Sequence, residues 1–335
     1  MHGPGAMAEP GPNASENEGD GMKNQLLFAA MAFAATVCPA QTAPSDFATE
    51  ARGLQSTVRT VAAGVGGDHI LVHEGHLLLS TGTSITRTTL TGTSPQIVAS
   101  GFAYAACKVV DRSGQLTVVD FGANRVVRVR PDGSQLTLAS GLLGPVGCAL
   151  DSMNRLYVAE ARLGSTPGTR VYRTNAQGVL APWVDLAGSP VPLIALAGLA
   201  IDAQDRVYVA NYVDGRIARI ARDGRVALFA DLGIAPAPGA FAVSYLAFAK
   251  GDLYATNLSG NRLYRVTPAG VASVAAGTGQ PGANDGPALT ATFNLPNGVA
   301  ATPLQFGVYI TEAATGSLRL FIALRDGPLA GLTER

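Results

Sequence analysis

Read for hydrophobic and polar positions, the chain from residue 58 onward breaks into short apolar runs separated by turns rich in Gly, Asp and Asn, the pattern of strands joined by hairpins. The runs recur in sets. "GPVGCALDSMNRLYVAE" (144–160), "LAGLAIDAQDRVYVAN" (196–211), "SYLAFAKGDLYATN" (244–257) and "PNGVAATPLQFGVYITE" (296–312) align, and "ACKVVDRSGQLTVVD" (106–120) and "GDHILVHEGHLLLST" (67–81) are weaker copies. Each reads as an apolar strand, a tight turn, and a second strand that ends on a polar residue. A third strand follows in "RVVRVRPDG" (125–133), "TRVYRTNAQG" (169–178), "GRIARIARDG" (215–224) and "NRLYRVTPAG" (261–270), and a fourth in "LTLASGL", "VLAPWVDL", "VALFADL" and "VASVAAG".

Four strands recurring about every 40–50 residues are the signature of propeller blades. The alignment predicts an all-β, six-bladed β-propeller of four-stranded antiparallel blades, beginning near Asp68, Cys107, Gly147, Gly198, Tyr245 and Gly298. "RTVAAGVGG" (59–67) echoes "ASVAAGTGQ" (272–280), a fourth strand, so an N-terminal strand is expected to complete the last blade and remove an open edge. "LRDGPLAGL" (324–332) is a competing, less favoured fourth strand. The propeller is assigned to residues 58–335.

Ahead of it the text changes character. Residues 1–21 are acidic, Gly/Pro-rich and without apolar pattern, as in a disordered leader or a start assigned too early. Residues 22–40 combine Lys23, an apolar run from Leu26 to Val37, and Cys38-Pro39-Ala40 before Gln41, the layout of a signal peptide cleaved near Ala40. The run is short for a bilayer span, and Val37 is a poor neighbour for a lipidated cysteine. Residues 41–57 read as a linker. The expectation is an exported protein, periplasmic or secreted, with no membrane span in the mature chain.

Composition narrows the partners. Lys+Arg and Asp+Glu balance at 24 each with no basic run, which excludes the electrostatic footprint of a nucleic-acid binder or a peripheral membrane protein. After cleavage two cysteines remain, Cys107 and Cys148; they can pair or serve as buried small hydrophobes, and the sequence leaves both open.

The stretch "GTGQPGANDGPALTATFNLPNGVA" (277–300) opens on a G-x-G-x-x-G spacing. A pyrophosphate cradle requires a strand before it and a helix N-terminus after it. This segment follows a fourth strand, carries Pro281, and leads through Asp285-Gly286 into another strand, so it reads as the crossover between blades five and six. With Ala291-x-Phe293, Pro-x-Gly-x-Ala and "GVYITE", it resembles an NHL repeat, and the chain as a whole is similar to the six-bladed superfamily that includes gluconolactonase and regucalcin. That resemblance implies the fold; such propellers host enzymes, ligand carriers and interaction platforms alike.

In a propeller of this kind, the loops leading into first strands and the turns leaving second strands share one face around the central channel. Two columns of residues therefore matter. The first precedes the first-strand glycine: Gly67, Ala106, Val146, Ala197, Ser244 and Asn297. In gluconolactonase-like enzymes, carboxylates and amides at such positions converge on one divalent metal. Here Asn297 matches the family's Asn-Gly pattern, Ser244 is a feeble second, and the early Glu-Gly-Pro motif has no counterpart, since Glu74-Gly75 falls at the opposite rim. No metal or other cofactor is expected, Ca²⁺ or another divalent ion entering only under a lactonase alternative.

The second column ends the second strands: Thr81, Asp120, Glu160, Asn211, Asn257 and Glu312. It can bond the neighbouring turns, with Arg125, Arg216 and Arg262 placed to pair with it, or contact a ligand beside Phe121 and Tyr212. Tyr104 and Tyr245 are candidates for the channel mouth, near Phe102 and Phe241, whereas Phe293 is expected to pack between blades. His69 and His73 stand about 13 Å apart on one strand, too far to share an ion, and His73, Glu74 and His76 make a partial site at best. There is no G-x-S-x-G and no C-x-x-C.

The favoured reading is a module that binds a small molecule, glycan or protein at the channel face through Tyr104, Asp120, Glu160, Asn211, Tyr212, Tyr245, Asn257, Asn297 and Glu312. The alternatives are a divalent-metal-dependent lactonase-like hydrolase with a divergent site, and an envelope assembly scaffold. No catalytic residue can be named, and whether the protein is an enzyme is left open. Three or more oxygen-bearing side chains within metal reach of Asn297 would favour the hydrolase; a channel of Ala, Val and Tyr would disfavour it.

Overall fold

The computed structural model describes residues 55–162, 166–237 and 239–324. The expected leader and signal peptide, most of the expected linker and the C-terminal rival for the closing strand lie outside them. Alternation of apolar strands with Asp-, Asn- and Gly-bearing turns produces six antiparallel sheets; five are built outward in chain order from an inner strand, and the sixth takes its outer strands from earlier in the chain. The inner strands are Ile70–His73, Ala105–Val110, Pro145–Leu150, Leu196–Ile201, Val243–Ala249 and Pro296–Ala301, in blades 1 to 6. Each touches the inner strands of the blades before and after it, and blade 6 touches blade 1, so the ring is closed around a channel.

The hairpins between first and second strands are fixed locally. Asp111, Asp151 and Asp202 each present Oδ1 to the N–H groups two and four residues on, closing the turn with their own side chain. The second strands, such as Leu156–Glu160 and Val207–Asn211, are buried along their whole length, because both faces pack against neighbouring blades.

Around the axis the inner strands approach very closely. A Cβ at Gly147 would collide with the Ala197 carbonyl, one at Gly198 with the Ser244–Tyr245 backbone, and one at Gly298 with the Asp68 carbonyl. These contacts also set the true alignment of the blades. Ser244 and Asn297 correspond to Ala197 and Asp68, so the first-column residue of blade 1 is Asp68 and not Gly67. The sequence alignment was displaced by one residue there because blade 1 carries His69 in the place of the glycine that marks the column.

Ring closure follows the N-terminal expectation. Thr57–Ala62 adds antiparallel to Leu318–Ile322, with Val58 opposite Phe321 and Thr60 opposite Arg319. Outside it, Gly286–Pro287 adds a short fifth strand. The Gly277–Ala300 segment is thus a crossover that clasps the closing strand. Asp285 accepts bonds from the Thr60 N–H at 2.8 Å and the Thr60 hydroxyl at 3.0 Å, and its Oδ1 meets Arg319 at 2.8 Å. Arg319 is fully buried and also bonds Glu312, and its guanidinium lies over Phe293, which packs between blades 5 and 6 as expected.

Cys107 and Cys148 form a disulfide between the inner strands of blades 2 and 3, which settles the alternative left open by the sequence. Two outcomes are expected from these closures. Asp285→Ala removes the clasp and leaves one partner fewer for a buried arginine, costing about 2 kcal/mol in urea unfolding. Cys107→Ser with Cys148→Ser opens a covalent loop of 41 residues, costing about 2–4 kcal/mol by the same measurement.

Candidate functional site

The site is built where the six-fold pattern breaks. At the column-one position, Ala106, Val146 and Ala197 are apolar, while the adjoining blades 5, 6 and 1 carry Ser244, Asn297 and Asp68. These three form a chain across the blades: the Ser244 hydroxyl donates to Asn297 Oδ1, and Asn297 Nδ2 donates to Asp68 Oδ1. Their backbones are held by two threonines. Thr256 on blade 5 donates to the Asn297 carbonyl, and Thr311 on blade 6 donates to the Asp68 carbonyl at 2.9 Å. The equivalent residues in blades 2, 3 and 4 are Val119, Ala159 and Ala210, so the two threonines occur only beside the polar members of the column.

Tyr245 takes the glycine position of blade 5, and its side chain has no room against the next blade. It reaches instead across the channel to the opposite side, where its hydroxyl lies 2.7 Å from the Ala106 carbonyl of blade 2 and 3.3 Å from Asp68 Oδ2. Its ring lies 5.1 Å from that of His69. Tyr104, from the loop leading into blade 2, also bonds Asp68 with its hydroxyl. Tyr212, at the end of the second strand of blade 4, stacks on Phe241 at 4.6 Å, and Tyr104 stands edge-on to Phe121 at 6.1 Å. Three tyrosines therefore surround one carboxylate at the axis.

Burial governs the electrostatics. It pushes the Asp68 carboxyl up to about 7, against the charge of Lys108 and the bonds from Tyr245, Tyr104 and Asn297. Burial likewise holds the Lys108 amine well below its ordinary value, with Asp68 opposing, and lowers His69, with Lys108 adding to the effect. All three tyrosines are raised, first by burial and then by the Asp68 charge, so their hydroxyls remain protonated donors.

Of the residues expected at the site, the structure gathers Tyr104, Tyr212, Tyr245 and Asn297. The second column shares their face but is spent largely on the loops. Asp120 Oδ1 accepts the N–H groups of Ala103 and Tyr104, Glu160 accepts that of Leu143, Glu312 that of Asn294, and Asn257 that of Gly260. Asn211 is buried beside Tyr212, and its side-chain amide has no hydrogen bond among the described residues. Of the three expected pairings with the arginine five residues on, that of Asp120 holds, its Oδ2 meeting Arg125 at 3.0 Å, while Glu312 pairs with Arg319 of its third strand. Arg216 turns to Asp214 and Arg262 to the Thr278 carbonyl, because Asn211 and Asn257 carry no charge to hold them.

Asp68, Lys108, Thr256 and Thr311 were not singled out from sequence, and Ser244 was underrated. The signals were present: a lysine inside an apolar strand, and "YAT" and "YIT" where blades 3 and 4 read "YVA". Of the histidines, His73 and His76 face each other across the hairpin, while His69 turns inward to Lys108. Among the described residues no group of three His, Cys, Asp or Glu side chains could hold a metal.

The residues around Asn297 do not fit a divalent cation. Asp68 and Ser244 do reach it, but both ends of the Asn297 amide are spent on them, the other half of the column is apolar, and the Tyr245 side chain spans the channel.

Neither a protein-family model nor a curated protein matches the chain. Solved structures share its fold: it is a six-bladed β-propeller of the architecture seen in nutrient-binding and lactonase-type proteins. An auxiliary nutrient binding protein from Bacteroides thetaiotaomicron superposes with a TM-score of 0.66 at 14% identity, over 80% of this chain and 76% of that one. A gluconolactonase from Xanthomonas campestris gives 0.58 at 17% identity, over 86% and 98%. Virginiamycin B lyase from Staphylococcus aureus gives 0.55 at 14% identity, over 81% and 100%.

The raised Asp68 carboxyl has a signed consequence. Its folded value exceeds that of an unfolded aspartate, near 3.9, so its contribution is fully present below about pH 4 and is lost as pH rises toward 7. Asp68→Asn is therefore expected to gain stability relative to the parent between pH 5 and pH 8, read by urea unfolding at the two values.

Proposed function

We propose that the protein is an exported binding module that takes a small, uncharged, hydroxyl-bearing molecule at the channel face. The observation that carries this reading is the convergence of Tyr104, Tyr212, Tyr245, Asp68 and Asn297 from five blades on one point of the axis. Aromatic walls with a few fixed polar groups are the usual make-up of a small-molecule site. Asp68 and Lys108 oppose each other's charge within the same buried region, which leaves no net charge for an ionic ligand to answer and suits an uncharged one. The nutrient-binding relatives of the fold are consistent with a carrier role. Export is supported by the Cys107–Cys148 disulfide, a bond that persists in oxidising compartments. Among the described residues no helix is long and apolar enough to cross a membrane.

The lactonase-type alternative needs a metal-centred donor set, which the spent amide of Asn297 and the apolar half of the column do not supply. A thermal-shift screen of neutral mono- and disaccharides, polyols and lactones tests the proposal. A binding sugar or polyol should raise the melting temperature of the parent, and Tyr212→Ala or Asp68→Ala should weaken that ligand about tenfold or more. A shift that survives both substitutions would place binding elsewhere, and turnover of a lactone lost with Asp68→Ala would restore the hydrolase.

A further inference from the structure

Lys108 is out of place by the rules of its own fold. The register of first and second strands puts it opposite Val118, and the same position holds Ile70, Cys148, Leu199, Leu246 and Val299 in the other blades. Five blades thus pack an apolar side chain against the preceding blade where blade 2 inserts an amine. Lys108 is one of three lysines in the chain, and it is 0% exposed. A buried ammonium costs several kcal/mol unless its charge and its protons are answered.

They are answered by blade 1. Nζ donates to the His69 carbonyl at 2.5 Å and to the Ser80 hydroxyl at 3.1 Å, and His69 Nδ1 lies 3.4 Å away. The carbonyl belongs to the residue next to Asp68, so the amine is held beside that carboxylate without contacting it directly. Every other group facing Asp68 is an uncharged donor: the hydroxyls of Tyr104 and Tyr245 and the amide of Asn297, with Tyr212 and neutral His69 close by. Among the described residues Lys108 is therefore the one cationic side chain acting on Asp68, and each opposes the effect of burial on the other.

The lactonase-type propellers that the sequence resembles set a divalent ion among the first-column side chains, and this column does not fit one. We infer that Lys108 is the built-in cation of the site: its amine balances Asp68 in the place of a metal, and leaves the channel charge-neutral and complete without one. The inference concerns the protein alone and does not require that the proposed ligand bind.

A double-mutant cycle tests it. At pH 8 Lys108→Met should lower the melting temperature by about 5–10 °C, because Asp68 is left buried without its counter-charge. In Asp68→Asn with Lys108→Met the loss should shrink by half or more, and at pH 5, where Asp68 carries a proton, the single variant should lose less than at pH 8. Additive losses at both pH values would make Lys108 a space-filling residue and overturn the inference. So would failure of both variants to fold, since removing the carboxylate would then have rescued nothing. Independently, Ca²⁺, Mg²⁺, Mn²⁺ or Zn²⁺ and a chelator should leave the melting temperature of the full chain unchanged. A rise of several degrees with any one ion, lost in Asp68→Asn, would show a metal where the lysine is placed.

Discussion

The close approach of neighbouring inner strands around the axis is the constraint on which the rest of the molecule depends. At Gly147, Gly198 and Gly298 the next blade's backbone lies where a side chain would begin, so these blades nest together with nothing between them. The same position in the other three blades carries a side chain, and each has to find another way out. His69 turns onto Lys108, Cys107 bonds covalently to Cys148, and Tyr245 crosses the channel. One position thus acts as a spacer in half of the ring and as a source of chemistry in the other half.

Breaking the symmetry at the axis brings polar groups into a buried place, where each needs a partner. The partners come from adjoining blades. Ser244, Asn297 and Asp68 hand hydrogen bonds from blade 5 to 6 to 1, Thr256 and Thr311 fix their carbonyls, and Tyr245 spans to blade 2. The second-strand residues behave differently. Asp120, Glu160 and Glu312 tie down the loop of their own blade, a duty that recurs because every blade has that loop. Recurrence marks the residues that make the blade, and departures from it mark the residues that make the site.

This distinction explains what could be read from the chain. Strand periods, hairpin aspartates and the polar ends of second strands are local, and they repeat, so the six blades and the echo between the N-terminal strand and a fourth strand were legible. The aromatic part of the site was legible as well, because Tyr104, Tyr212 and Tyr245 interrupt runs of small residues. Asp68 was missed because blade 1 is a weak copy whose register slips by one residue when a glycine is used as the marker. Lys108 stood in plain view, yet its meaning depends on which strand faces it.

The amino-acid sequence by itself determined the architecture, since each blade is specified by short-range pattern and the ring follows from their number and a complementary terminal strand. Only the tertiary structure decided the site. Asp68 and Asn297 are 229 residues apart in the chain and in hydrogen-bond contact in the fold, and no local pattern can state a contact that the curvature of the whole ring creates.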